Sequence, residues 1–185
     1  MATIELPGRK ILFILPPRNF RDEEYQTPRA ILENAGARVV VASVSLAPAK
    51  GMLGALVTPD AVMDGLNAED FDAVLLVGGV GSSKYWHNDI VHDLVRETNR
   101  AGKVVSAICL APVTLANAGL LAGKRATAYP SAANFLKWKG ASYTGNSVES
   151  DGHIITANGP EAAEEFAQAV VAKIASASRK SENKI

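Results

Sequence analysis

Apolar runs of the kind that form buried strands alternate along this chain with segments of helical spacing, and this alternation limits the fold more than any other feature. The runs are “RKILFILPP”, “ARVVVASV”, “FDAVLLVGG” and “KVVSAIC”. Apolar residues at consecutive positions are typical of parallel strands that are covered on both faces. The pattern therefore predicts an α/β fold, with a mostly parallel central sheet and helices on both of its faces.

The segments between and after these runs predict the helices. “DEEYQTPRAILENAG” begins with acidic residues and ends at Gly36, while “KYWHNDIVHDLVRETNRAG” carries its apolar residues on one face. The last helix is predicted over “PEAAEEFAQAVVAKIASA”, with Pro160 in its first turn. Two short strands are predicted around Asp151 and Gly152. The piece “MLGALVTPDAVMDGLNAED” is less regular and predicts a short strand or hairpin with a short helix.

The length and composition predict one domain. The chain has 185 residues, and 48% of them are hydrophobic, which is enough for a single core. We assign this domain to residues 1–176 and expect 177–185 to form a frayed polar tail.

The charge balance excludes some classes of partner. Lysine and arginine number 19, as do aspartate and glutamate, so the formal net charge is zero and no large basic field is expected. We therefore predict no binding to nucleic acid or to a membrane surface, and instead a small-molecule or protein partner. The first apolar run is too short for a signal peptide or a membrane span, and the single cysteine cannot form an internal disulfide. A cytoplasmic location is expected.

Three strand ends carry unusual residues. The loop after the first run contains Asp22, Glu23 and Glu24, the third run ends in two glycines, and the fourth ends at Cys109. In doubly wound sheets, ligands bind outside the carboxyl ends of the strands. We therefore expect these three places to form one site.

Cys109 lies between a buried strand and a helix start, as a nucleophile does in a strained elbow. The N–H of Leu110 would point toward the same place, and Gly79 would supply a second N–H for an oxyanion. A nearby helix N-terminus is expected to lower the pKa of the thiol. Glu24, on the neighbouring loop, is expected to hydrogen-bond the sulfur or to move a proton.

Other interpretations of these residues stay open at this point. A free cysteine is often a small buried hydrophobe, and first-turn acids often only complement a helix dipole, which is the interpretation we prefer for Glu23. The glycine pair also fits a tight turn. “GGVGSSK” lacks the spacing of a phosphate-binding loop, and the three histidines lack metal-ligand spacing, so no cofactor or metal is predicted. His87 and His92 are expected to be solvated.

The ordered set of motifs resembles the DJ-1/PfpI (ThiJ) superfamily, whose fold is like that of class I glutamine amidotransferases. The motifs are “FRDEE” with Pro28 after it, “VLLVGG”, “AGKVVSAICLAP”, “AGLLAGKRATAYPS” and “VESDGHIITANGPEAAEEFAQAVV”. The likeness covers roughly Arg9 to Ile174. It implies a flavodoxin-like three-layer sandwich and a homodimer.

The resemblance also implies roles for single residues. It assigns Cys109 as the reactive, easily oxidised cysteine and Glu24 as its carboxyl partner, with Gly79 and Leu110 as backbone donors. Tyr129 matches a pocket-lining position. We assign Gly78 and Tyr129 to substrate binding.

One departure bears on the mechanism. Protease-like members of the superfamily have a histidine directly after the cysteine, whereas this chain has Leu110. A Cys-His-acid triad therefore cannot be transferred to it. The remaining Cys-Glu pair favours a glyoxalase III-like or deglycase-like reaction on small α-oxoaldehydes or their protein adducts, in stress protection. The alternatives are a redox-sensing or chaperone-like protein acting through oxidation of Cys109 and, less favoured, an intracellular cysteine peptidase.

Overall fold

The computed structural model describes residues 4–182, which form twelve strands and five α-helices. The strands are β1 Lys10–Ile14, β2 Arg18–Phe20, β3 Arg38–Ser43, β4 Ala49–Gly51, β5 Leu56–Val57, β6 Ala61–Val62, β7 Ala73–Leu76, β8 Val104–Ile108, β9 Arg125–Ala126, β10 Ser142–Tyr143, β11 Val148–Asp151 and β12 Ile154–Ala157. The α-helices are α1 Asp22–Asn34, α2 Asp89–Arg100, α3 Pro112–Asn117, α4 Ala133–Trp138 and α5 Ala163–Glu182. Short 3₁₀ turns cover Ala68–Asp70, Val80–Tyr85, Pro130–Ala132 and Pro160–Ala162.

Seven strands form the central sheet in the order β11-β12-β8-β7-β1-β3-β6, and only β11 runs antiparallel to its neighbour. The alternation of side chains in β1 shows how the layers arise. Ile11 and Phe13 pack on one face with α1 and α5, while Leu12 and Ile14 pack on the other face with α2, α3 and α4. The predicted α/β fold, a flavodoxin-like three-layer sandwich, is confirmed.

The strand order fixes where a site can form. The chain passes from β1 outward to β3 and β6 and then returns to β7 on the other side of β1. This reversal is the switch point at which doubly wound folds bind ligands. The loops that leave β1, β7 and β8 therefore meet at the same edge of the sheet.

Several predicted elements are confirmed, and two need correction. The irregular piece contains β5, which forms a hairpin with β4 just before the piece, and then β6 and a 3₁₀ turn. Strands β11 and β12 flank the predicted turn at Gly152. However, α5 continues to Glu182, inside the segment 177–185 that was predicted as a frayed tail, because that segment is rich in helix-forming residues. Residues 183–185 lie outside the described part of the chain. The helix that was predicted to start directly after Cys109 begins only at Pro112 and spans six residues. Within residues 4–182, no helix is long and apolar enough to cross a membrane.

Candidate active site

The three predicted strand ends meet at one cavity of about 560 Å³. A fourth loop, which follows β12 at the same edge of the sheet, also lines it, as do Met52, Tyr129 and Pro130 from two other segments. The cavity is lined by Arg21, Glu24, Met52, Gly79, Val80, Cys109, Leu110, Tyr129, Pro130, Asn158, Gly159, Pro160 and Glu161.

Cys109 occupies a strained turn directly after β8. Its φ is 64°, which places a non-glycine residue in the left-handed region. Its backbone N–H donates to the carbonyl of Ala157 (2.9 Å), and its carbonyl accepts from the N–H of Tyr129 (2.8 Å). These two bonds hold the strained backbone in place and leave the side chain, which is only slightly exposed, facing the cavity. The backbone geometry is that of a nucleophile elbow.

The turn is supported from the α2 side by Trp86. Its indole N–H donates to the carbonyl of Leu110 (3.2 Å). The carbonyl of Trp86 is in turn bound by the side-chain amide of Asn117 (2.7 Å) and lies 3.0 Å from Nε2 of His92. The prediction that His92 is solvated is therefore wrong, because its ring is buried against this carbonyl.

The two glycines after β7 allow two different close contacts. A Cβ at Gly78 would lie 2.3 Å from Oε2 of Glu24 and 2.7 Å from Cβ of Cys109. Gly79 has a φ of 95°, and a Cβ there would lie 2.4 Å from the backbone nitrogen of Arg21. Of these two glycines, only Gly79 lines the cavity, while Gly78 packs against the side chains of Glu24 and Cys109. Gly78, which we assigned to substrate binding, is thus placed as a spacer under the site.

Glu24 is fully buried in the first turn of α1. Neither of its carboxyl oxygens has a hydrogen-bond partner of normal geometry among the described residues. Burial raises the pKa of the Glu24 carboxyl to about 8, although the adjacent Cys109 thiol and the Arg21 charge lower it in part. At neutral pH the group is therefore mostly a carboxylic acid, which can donate a proton to a neighbour.

The pKa of the Cys109 thiol is raised, contrary to the prediction of a lowered value. Burial is the main cause and the Glu24 charge is the second, while the backbone N–H groups of Gly79 and Leu110 lower the pKa. The six-residue helix α3 begins only after Ala111, so its N-terminus does not outweigh burial. The negative charge of Glu24 raises the pKa of Cys109 only when Glu24 is ionised, so this contribution is absent while Glu24 is protonated. The two groups therefore titrate as a pair, and the pair has to lose one proton before a thiolate is present.

Asp22 fixes a wall of the cavity that the sequence did not predict. Its two carboxylate oxygens accept from the backbone N–H groups of Leu53 and Ala55, both at 2.8 Å. Both donors belong to the hairpin of β4 and β5, and a Cβ at Gly51 would lie 2.6 Å from the same carboxylate. This hairpin carries Met52, which lines the cavity. Asp22 therefore anchors the hairpin whose Met52 lines the same cavity as Cys109.

Sequence reasoning also missed Arg21 and the loop after β12, which line the cavity. The Arg21 side chain is partly exposed and forms a two-point ion pair with Glu23, at 2.8 and 3.1 Å. Tyr129, in contrast, lines the cavity as predicted and is about half exposed. The rule that located the other three loops would also have pointed to “NGPE”, because it follows a parallel strand. Among the described residues, no three His, Cys, Asp or Glu side chains are grouped as a metal site would need.

Comparison with known proteins places the site in a family. The sequence model of the DJ-1/PfpI family matches residues 9–173, almost the whole chain. The chain belongs to the DJ-1/PfpI family. A solved ThiJ/PfpI domain protein from Brachyspira murdochii superposes with a TM-score of 0.89 at 32% identity, covering 92% of this chain and 99% of that one. The DJ-1/PfpI resemblance seen in the motifs is confirmed.

Three relatives show how far this DJ-1/PfpI member resembles known ones. An uncharacterised protein of Methanocaldococcus jannaschii is 43% identical, over 91% of this chain and 84% of its own length. A protein of Pyrococcus horikoshii named as a deglycase is 31% identical, over 82% and 90%. A Caenorhabditis elegans protein named as a glutathione-independent glyoxalase is 28% identical, over 88% and 87%.

Proposed function

We propose that this protein acts on small α-oxoaldehydes, or on their adducts with proteins, through a covalent intermediate on Cys109, and so protects against carbonyl stress. The observation that carries this proposal is that one cavity holds a strained elbow cysteine and a fully buried carboxyl group, whose oxygens have no hydrogen-bond partner of normal geometry within residues 4–182. The names of the deglycase and glyoxalase relatives support the same class of chemistry. A glyoxalase that does not use glutathione has to supply its own nucleophile, and Cys109 is the only cysteine of the chain.

The first step is addition of the Cys109 thiolate to the aldehyde carbon. A carbon–sulfur bond forms, and the carbonyl oxygen takes the negative charge. The N–H groups of Gly79 and Leu110 lower the pKa of the Cys109 thiol, which supports their assignment as the donors that hold this oxygen. The Glu24 carboxylic acid gives its proton to this oxygen, which forms a hemithioacetal and leaves Glu24 as a carboxylate.

Glu24 moves the next protons. As a carboxylate it takes the proton from the former aldehyde carbon and, as an acid, returns one to the adjacent carbon. The hydroxyl proton passes to the former ketone oxygen, which leaves a thioester of a 2-hydroxy acid. Water then cleaves the thioester and the thiol is restored. One α-oxoaldehyde and one water give one 2-hydroxy acid, with no external oxidant. A carboxyl group whose pKa is about 8 suits this exchange, because both of its forms are populated near neutral pH.

Measurement of lactate formed from methylglyoxal tests the proposal. The wild type is expected to form lactate well above the Cys109→Ser variant, and Glu24→Gln is expected to slow the reaction because an amide cannot exchange the protons. Circular dichroism confirms that each variant is folded. Wild-type turnover no better than that of Cys109→Ser would overturn the proposal.

A redox role of Cys109 is the second candidate, and the buried Glu24 carboxyl favours it. A protonated Glu24 can donate a hydrogen bond to a sulfenate or sulfinate oxygen on Cys109, which stabilises the oxidised form. Intact mass after mild peroxide treatment is expected to show addition of oxygen at Cys109. An unchanged mass in the folded protein would count against this role.

A homodimer and a cytoplasmic location complete the proposal. Leu53 and Leu56 are strongly exposed on the hairpin of β4 and β5, which supports burial of this edge against a second copy. Light scattering is expected to give twice the mass of 19.5 kDa, and a monomer would remove this part of the proposal. A lone free thiol suits the reducing cytosol, which cell fractionation tests.

A further inference from the structure

Arg21 is a charged side chain at the cavity that the proposed chemistry does not use. It lies at the start of α1, and its backbone is fixed at both ends. Its N–H donates to the carbonyl of Gly78 (3.1 Å), and its own carbonyl accepts from the N–H of Glu24 (3.1 Å). The side chain therefore leaves the backbone from a fixed point beside the reactive pair.

The ion pair with Glu23 holds the guanidinium group in a defined orientation. Nε and Nη2 of Arg21 donate to the two carboxylate oxygens of Glu23, which is the two-point geometry that a planar guanidinium favours. Nη1 has no hydrogen-bond partner within residues 4–182. Since Arg21 lines the cavity, its remaining donors are available to a bound molecule.

The surroundings of this guanidinium select what it can bind. Most of the other lining side chains are apolar, and the buried Glu24 is mostly protonated at neutral pH. The second charged group at the cavity mouth is Glu161, whose sign is opposite. Among the residues that line the cavity, only Arg21 offers a carboxylate a positively charged donor, on the Nη1 side that the pair with Glu23 leaves free.

The size of the cavity indicates that the substrate extends beyond its reacting end. A volume of about 560 Å³ lies within the usual range for small-molecule sites and is larger than a three-carbon aldehyde fills. A substrate with its aldehyde at Cys109 has room for a further group at its other end.

We propose that Arg21 makes this site selective for α-oxoaldehydes that carry a carboxylate at the end remote from the aldehyde. This inference rests on the proposed function, because it names the substrate class of the same cavity. 4,5-Dioxopentanoate is a substrate of this kind, and with one water it gives 2-hydroxyglutarate by the same proton transfers. Its methyl ester has the same reacting end without the charge.

The first test compares kcat/KM for the acid and the ester. The wild type is expected to prefer the acid, and Arg21→Gln is expected to reduce the acid-to-ester ratio about tenfold, the factor that ~1.4 kcal/mol corresponds to. Arg21→Lys should restore part of the ratio. Using the ratio removes any effect of the substitution on Glu24, since that effect acts on both substrates.

Two variants serve as controls. Arg18→Gln removes the same charge from an exposed position on β2 outside the cavity lining and should leave the ratio unchanged. Glu161→Gln removes the other charge of the mouth and should not reduce the ratio. An unchanged ratio in Arg21→Gln, or an equal loss in Arg18→Gln, would overturn the inference.

A second readout needs no turnover. Levulinate keeps the ketone and the carboxylate but lacks the aldehyde, so it can occupy the site without reacting at the cysteine. It is expected to slow alkylation of Cys109 by iodoacetamide in the wild type more than its methyl ester does, and this difference should be lost in Arg21→Gln. Protection without lactate formation from methylglyoxal would refute the proposed function and keep the anion site. Lactate formation without selective protection would refute the anion site alone.

Discussion

Asp22 and Glu24 are two buried carboxyl groups in the same turn of α1, but their surroundings differ. Asp22 has a backbone N–H for each of its oxygens, and it anchors a hairpin. Among residues 4–182, neither oxygen of Glu24 has a hydrogen-bond partner of normal geometry, and burial raises its pKa to about 8. A buried acid whose oxygens are satisfied is a structural group, whereas one left unsatisfied beside a thiol is a candidate for chemistry.

The same comparison extends to the residue between them. Glu23 points away from the buried side and pairs with Arg21 at the surface. The three successive acids therefore have three different environments, because their side chains point in different directions from the helix. Substitutions at these positions and at Gly78 are therefore expected to differ in their effects on stability.

Gly78→Ala is expected to cause the largest loss of stability, because Gly78 packs against Glu24 and Cys109. The new methyl group would lie 2.3 Å from Oε2 of Glu24 and 2.4 Å from the carbonyl of Ile108. We expect a loss of ~3 kcal/mol or more in the free energy of unfolding, because the neighbours are buried and cannot move away. Urea unfolding measures this loss. Gly119→Ala is the control, since a methyl group there meets no atom within 4 Å and only the strain at a φ of 81° remains. Equal losses at the two positions would contradict the close packing under the site.

Asp22→Asn should weaken the attachment of the hairpin of β4 and β5 to α1. An amide can accept a hydrogen bond through only one of its two ends, so one N–H of the hairpin, Leu53 or Ala55, loses its partner. The expected cost is ~1–3 kcal/mol in the free energy of unfolding. Because the hairpin carries Met52, the proposed reaction with methylglyoxal should show a rise in KM that exceeds the fall in kcat. Unchanged stability and an unchanged KM would remove Asp22 from its anchoring role.

Glu24→Gln should change stability in the opposite direction, and only at higher pH. The folded-state pKa of Glu24 is about 8, above the ordinary carboxyl value of 4.5, so the unfolded chain releases this proton first as the pH rises. The wild type therefore loses stability between these two pH values, and the loss is complete above pH 8. Glu24→Gln lacks this loss, so its thermal midpoint relative to the wild type should rise from pH 5 to pH 8.5. A difference that does not vary with pH would show that Glu24 ionises normally.

Glu23→Gln should have the smallest effect. Its pair with Arg21 is more than one-third exposed at Glu23, and solvent screens such pairs. A change of no more than about 0.5 kcal/mol is expected in urea unfolding. A loss as large as that of Asp22→Asn would show that the partly exposed Glu23 contributes as much to stability as the buried Asp22, which this account does not expect.

The sequence predicted the fold and the main site because both depend on local patterns. Buried strands and their ends are visible as apolar runs, and the switch-point rule then brings Glu24, Gly79 and Cys109 to one edge. The role of Asp22 was not visible, because its partners lie more than thirty residues away in an irregular hairpin. Its signal is present only in three-dimensional packing.

The pKa of Cys109 was predicted in the wrong direction for a related reason. The position before a helix is a sequence feature, but the length of that helix and the depth of burial depend on tertiary structure. Here α3 is short and Cys109 is only 6% exposed, so desolvation exceeds the effect of the helix terminus. Arg21 was overlooked because its position in the first loop does not indicate that its side chain reaches the cavity.

The central claim is that Glu24 keeps its proton at neutral pH beside Cys109, and infrared spectroscopy tests it most directly. The difference spectrum between the wild type and Glu24→Gln isolates the carbonyl stretch of a protonated Glu24 carboxyl group. This band should be present at pH 7 and should disappear with a midpoint near pH 8, or higher if the thiol ionises first. Loss of the band with a midpoint near the ordinary carboxyl pKa of about 4 would contradict the account.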